Sequence, residues 1–299
     1  MRWLRLSLFV LLTAIGGALL IGLYAKRDQP ALGISPLFLW GGKTTPEQAR
    51  RLTRLVDVDN LDELELGEVI PLRFKQASTE DPASLAYLDS ILQGLGRYTR
   101  KSLPYRALLI AALPPNAMAL PGGRIVVTQE LLAALDSESE LAALLAHEMG
   151  HVALGHCLLA VKPKVRERGQ SFPMGEIADL TFAVLLRHVF TRAQEDEADD
   201  FAFGLLAQTR YDPSSLPDAL QSLQRQESPE RTRQRDLLRG YLEAHPPQSP
   251  RIARLAERAR AFWSAHRGER RYVGKRNLQQ KTSLFTGSQY ADEWIEHLD

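Results

Sequence analysis

The chain has 299 residues and nearly balanced charge, 37 Lys+Arg against 36 Asp+Glu, for a formal net charge of +1. At 44% hydrophobic and 24% charged residues it has a globular composition, which excludes a disordered chain, and the charge balance excludes a basic nucleic-acid-coating protein. A single cysteine, Cys157, excludes an internal disulfide and any zinc site built on several thiolates.

The N-terminus reads as a membrane address. Arg2 and Arg5 precede an uncharged run from Leu6 to Tyr24, and Lys26 and Arg27 close it. That run is long enough to cross the hydrocarbon core as a helix. Residues 1–27 therefore form a signal anchor, with a cleaved signal peptide as the alternative, since Ala14-Ile15-Gly16 has a cleavable shape. Residues 28–79 carry Pro30, Pro36, Pro46 and Pro71 and read as a juxtamembrane segment with short helices near 46–55.

From residue 80 the pattern is regular. Asp81-Pro82 is a helix start, and Leu85, Leu88, Ile91, Leu92 and Leu95 share one side of the helix that follows. Tyr105–Leu113 reads as a strand ended by Pro114-Pro115-Asn116, and Arg124–Thr128 as a second strand after Gly122-Gly123. Helices are expected at 129–135, 138–160, 176–189, 192–208, 214–226, 230–243 and 249–265. The stretch 162–175, with Pro163, Gly169, Pro173 and Gly175, reads as a long loop and a candidate lid. Residues 269–299 read as a polar C-terminal tail.

One motif carries chemistry. His147-Glu148-Met149-Gly150-His151 has the H-E-x-x-H spacing. On a helix, residues four apart share a face, so both imidazoles can reach one metal ion and Glu148 can hold a water beside it. A third ligand is needed, because catalytic zinc usually takes three protein ligands. His156 is set aside, because nine residues on from His147 it falls near the opposite helix face. Glu195 and Asp199, four apart on the helix expected at 192–208, offer one carboxylate for metal and one for orienting a histidine. The same residues also fit a solvated acidic face, because acids crowd 195–200.

Taken together, these motifs resemble the zinc metallopeptidases that group the CAAX prenyl protease with HtpX, family M48, nearest to their periplasmic, BepA/LoiP-like branch. Asn116–Gly123, Tyr211-Asp212-Pro213 and His245-Pro246 with Arg251 match further family segments in the right order. Glu130 and Met118 depart from it, standing where the family often has a glycine and an aromatic. The resemblance covers about residues 80–265 and implies an α+β, mainly α, zincin (gluzincin) domain over 80–268, with a small sheet whose edge strand, Gly122–Thr128, lines the cleft. It implies one zinc ion held by His147, His151 and Glu195, with Glu148 as general base. Asp199 and Arg251 would support the ligands, and His245 would polarise the substrate carbonyl or block the open metal position. Substrate would be an unfolded or extended polypeptide, lying along Ala119, Gly122, Gly123, Ile125 and Val127. The implied protein is an endopeptidase tethered to the inner membrane, with its domain in the periplasm, or secreted there after cleavage. A periplasmic chaperone or assembly factor with a gated site is the alternative. No nucleic-acid partner is implied.

Overall fold

A computed structural model describes Glu47, Arg51 and residues 55–57, 62–74, 81–111, 114–167, 171–226, 241–246, 249–287 and 289–296. The expected N-terminal helix at 1–27, most of the juxtamembrane segment and most of the helix at 230–243 lie outside the described residues. Among the described residues, no single helix is long and apolar enough to cross a membrane.

In chain order, β1 (Leu55–Asp57) precedes α1 (Glu63–Phe74) and α2 (Pro82–Gly96). Next come β2 (Arg106–Ile110), β3 (Ala117–Leu120) and β4 (Arg124–Thr128), then α3 (Gln129–Ala134), α4 (Glu138–Ala153) and α5 (His156–Arg166). After β5 (Ser171–Pro173) follow α6 (Met174–Leu185), α7 (Arg192–Gln208), α8 (Ser215–Gln226), the short α9 (Tyr241–Ala244) and α10 (Ser249–Ala265). The chain then forms β6 (Arg271–Tyr272), α11 (Lys275–Gln280) and β7 (Trp294–Ile295).

Local chemistry explains the helix starts. Asp81 caps α2 by accepting from the Ser84 N–H at 3.0 Å, and Pro82 fits the first helical position. The expected apolar side of α2 packs inward, with Leu88, Ile91, Leu92 and Leu95 buried. Thr191 and Gln194 close a reciprocal capping box at the start of α7. Helix α4 is buried from Glu138 to Val152 and forms the spine of the domain.

The main sheet has the order β2-β4-β3, with β4 parallel to β2 and antiparallel to β3. This corrects the expectation that the Gly122–Thr128 strand is the edge beside the cleft. β4 is central because β2 occupies its other side, and the edge facing α4 is β3.

One helix and one loop expectation also change. The helix expected at 138–160 is broken at Gly155, which adopts the left-handed conformation (φ 78°), and α4 and α5 meet at a 49° bend. The expected loop at 162–175 is largely regular structure: α5 runs to Arg166, Ser171–Pro173 pairs with Leu55–Asp57, and α6 starts at Met174. Val161 and Val165, one turn apart and both buried, hold α5 against the core despite Pro163.

The segment expected to be a C-terminal tail packs into the domain. The first N–H groups of α4, from Glu138 and Ser139, donate to the carbonyls of Gly274 and Val273 at 3.0 Å each. These are helix-start donors that have no partner within the helix itself. The Glu138 carboxylate is buried and accepts from the Tyr211 hydroxyl at 2.5 Å and the Leu284 N–H at 2.8 Å.

Burial pushes the Glu138 carboxyl up from 4.5 to about 7, although Tyr211 and the Leu284 N–H favour the ionised form. The folded protein therefore holds a proton at Glu138 that the unfolded chain releases near pH 4.5. The stability linked to that proton is complete below pH 4.5 and is lost as pH rises through about 7. Urea denaturation of wild type and Glu138→Gln between pH 5 and 8 should show wild type losing roughly 2–3 kcal/mol relative to the variant. A pH-independent difference would contradict this account.

Candidate metal centre

His147 and His151 project from one face of α4, and their Nε2 atoms lie 3.1 Å apart. Glu195 approaches from the first turn of α7, with Oε2 3.4 Å from His147 Nε2 and Oε1 3.5 Å from His151 Nε2. The two helices can come this close because Gly150 has no side chain. A Cβ there would stand 3.1 Å from the Ala198 Cα. His245 follows α9 directly, and its Nδ1 lies 2.8 Å from Glu195 Oε1 and 3.4 Å from His147 Nε2. One donor atom from each of these four residues falls within 4.8 Å of all the others, and all four residues are buried.

A cation fits these four donors. A tetrahedral ion with ligands at about 2.1 Å separates them by about 3.4 Å, close to the spacings observed. Three imidazole nitrogens and a carboxylate oxygen are suitable zinc donors. Glu148 Oε1 is buried without a hydrogen-bond partner, as expected of an atom that faces a substrate.

Asp199 lies one turn beyond Glu195, with Oδ1 3.0 Å from His147 Nδ1, although the ring N–H is bent away from ideal alignment. Arg251, from the first turn of α10, grips both Asp199 oxygens at 2.7 and 2.8 Å. The same guanidinium reaches Glu195 Oε2 at 2.9 Å and the His245 carbonyl at 3.3 Å. Arg251 thus holds the acidic pair and His245 together.

The electrostatics follow from this packing. Burial opposes ionisation of Glu195, but His245, His147 and His151 overcome it and hold the carboxyl far below its usual range. Burial likewise opposes charge on Asp199, and Arg251 and His147 bring it down to about 2. Burial disfavours a cationic His147, yet Asp199 and Glu195 raise it to about 9. Burial drives His151 well below its ordinary value. The site therefore attracts positive charge, which a metal ion supplies on displacing protons.

Glu148 points to the other side of the donor cluster. Its Oε2 accepts from the Ala119 N–H at 2.8 Å, and Oε1 stands 3.4 Å from His245 Nε2 without a hydrogen bond. Burial raises its pKa. The five residues expected along the substrate separate at this point. Ala119 lies on β3 and touches Glu148. Ile125 and Val127 sit on β4 opposite Ala119 and Ala117, and Gly122 and Gly123 form the buried turn between the strands.

Three residues at the site were not singled out from the sequence, or were set aside. Phe190 stacks on the His151 ring at 3.9 Å and 21°. Tyr241 stacks on His245 at 4.7 Å and 25°. His156, placed on the far side by assuming a continuous helix, is turned back by the break at Gly155 and meets His151 at 3.1 Å. Gly155 was the available signal for His156. For Phe190 and Tyr241 there was none, because their contacts cross between elements distant in the chain.

Replacing Asp199 by Asn should weaken zinc binding by about 10–100-fold, since partners that orient a ligand histidine have that effect. It should also destabilise the fold by about 1.5–3 kcal/mol, because Arg251 loses charge-assisted bonds. Chelator competition and urea denaturation measure the two effects separately.

The family model for "Peptidase family M48" matches residues 85–259. The chain is 29% identical over 162 residues to the Arabidopsis thaliana mitochondrial metalloendopeptidase OMA1, covering 52% of this chain and 32% of that protein. It is 25% identical over 210 residues to the beta-barrel assembly-enhancing protease of Escherichia coli K12, covering 64% and 43%. It is 28% identical over 199 residues to the metalloprotease LoiP of the same strain, covering 62% and 75%. The chain therefore spans less than half the length of the first two relatives. The matched segment holds the complete donor cluster, from His147 to His245, and Arg251, and the chain belongs to peptidase family M48.

Proposed function

We propose that this chain is a zinc-dependent endopeptidase for unfolded or extended polypeptides, held here in a closed state. The observation that carries the proposal is the His147–His151–Glu195–His245 donor cluster with the unbonded Oε1 of Glu148 beside it. A zinc ion bound there would polarise the scissile carbonyl and acidify a water molecule. Glu148 would take a proton at Oε1, the oxygen not engaged by Ala119, and return it to the leaving amine nitrogen. Asp199 and Arg251 would hold His147 and Glu195 in place.

His245 has two roles available to it. With Nδ1 aimed into the donor cluster, it completes a set of four protein ligands, which is the pattern of a closed metal site. Swung outward, it leaves three ligands and an open position, and its ring could then donate a hydrogen bond to the developing oxyanion. Phe190 lies over the His151 ring beside this position. An extended substrate would pair along β3, exchanging the bond between Ala119 and Glu148 for its own main-chain bonds.

A second reading rests on the same closure. Four buried donors beneath an aromatic ring also suit a chaperone or assembly factor whose metal site is rarely open. For location, the uncharged run from Leu6 to Tyr24 between basic flanks supports a membrane tether with the domain in the periplasm, or secretion there after cleavage.

Elemental analysis of the full-length protein should find about one zinc per chain, and casein cleavage should stop with chelator. Glu148→Gln should keep the zinc and lose cleavage by about 100-fold or more. His245→Ala should keep the zinc through the remaining three ligands; cleavage faster than wild type would assign His245 the blocking role, and cleavage slower by about 100-fold the oxyanion role. Unchanged cleavage by Glu148→Gln would sink the peptidase reading. Zinc-loaded wild-type protein that cleaves no casein would favour the chaperone reading.

A further inference from the structure

Two ligand histidines share one face of α4, yet only one of them has a carboxylate behind it. His147 turns Nδ1 toward Asp199 at 3.0 Å. His151 turns Nδ1 toward another imidazole, that of His156, at 3.1 Å. His156 in turn presents Nε2 to Glu197 Oε2 at 3.0 Å. We propose that His156 is a positioning residue for the metal ligand His151, and that Glu197 acts on His151 through it, an inference that rests on the metal-site reading given above.

Proton placement along this chain follows from its last member. An ionised carboxylate only accepts hydrogen bonds, so His156 carries its proton on Nε2, facing Glu197. The His156 ring, which donates through Nε2, can accept through Nδ1. It accepts from His151 Nδ1–H, which leaves the His151 Nε2 lone pair facing the donor cluster, 3.1 Å from His147 Nε2 and 3.5 Å from Glu195 Oε1. The reverse arrangement would place a proton on His151 Nε2, where a metal must bind. The relay therefore selects the one neutral tautomer of His151 able to ligate.

The fold is built to bring His156 there. Gly155, left-handed at φ 78°, ends α4 and starts α5 at His156, and a Cβ at Gly155 would meet nothing within 4 Å. The glycine thus serves the backbone turn, not close packing. His156 is 3% exposed and its ring meets that of His151 edge-on at 5.2 Å and 65°. Phe190 stacks on the face of the same His151 ring, so both the plane and the tautomer of His151 are constrained. Glu197 is on α7, two residues beyond the ligand Glu195, and its side chain is 61% exposed. Helix α7 thus supplies a ligand in Glu195, support for His147 in Asp199, and support for His151 in Glu197 through His156.

The test measures zinc affinity of the full-length protein by chelator competition, without reference to peptidase activity. His156→Ala should bind zinc about 10–100-fold more weakly. His156→Asn places an amide oxygen near the lost Nδ1 and should restore affinity to within about threefold of wild type. Glu197→Ala, at an exposed side chain, should weaken zinc by roughly threefold to tenfold. In 15N spectra of the zinc-loaded protein, His151 should carry its proton on Nδ1. Unchanged affinity in His156→Ala, or equal loss in the Ala and Asn variants, would overturn this inference alone. Wild-type protein that binds no zinc would overturn the metal-site reading, and this inference with it.

Discussion

Glu195 and Asp199 stand one turn apart on α7, both almost fully buried. Two ionised carboxylates in a protein interior carry a desolvation cost that only close positive charge can offset. Arg251 bonds to both carboxylates, and the imidazoles of His147, His151 and His245 surround Glu195. That requirement for positive charge ties α4, α7, α9 and α10 to one point. It also leaves a cluster of nitrogen and oxygen lone pairs that a divalent cation satisfies better than protons do.

The second constraint is closure. All four donor residues are buried, Phe190 and Tyr241 cover two of the imidazole faces, and the Ala119 N–H on the edge strand is engaged by Glu148. Each of these contacts occupies a feature that a peptidase must present to substrate: an open ligand position, access to it, and a strand edge. The same residues can thus stabilise the resting fold and form the working site, but not at one time. Residues 186–191, between α6 and α7, carry the covering ring and make the nearest candidate for movement.

Much of the site was legible from helical periodicity. The spacing of four in His147–His151 and again in Glu195–Asp199 places each pair on one helix face, and tertiary structure only had to bring the two faces together. The helices that begin at Pro82, Arg192 and Ser249 start where expected, the first two behind the capping side chains of Asp81 and Thr191, because capping is local chemistry. The errors lie where local pattern and long-range pairing compete. Arg124–Thr128 has the β-branched composition of a strand, but composition carries no information on whether β2 will pair with it. The break at Gly155 hid His156, since a continuous helix and a bent pair share the same apolar spacing. The polar segment beyond residue 268 lacked periodicity because its role is to cap the start of α4 with carbonyls, which every residue has.

The sequence by itself determined the donor types, the two helix faces that carry them and the family to which they belong, because these depend on side-chain chemistry and spacing along a single helix. Only the tertiary structure decided that β3 is the edge strand, that Arg251 joins both carboxylates, that Phe190 covers His151 and that Glu197 reaches it through His156. Those contacts join residues far apart in the chain, and their geometry is set by how helices and strands pack around a buried charge, which no local pattern encodes.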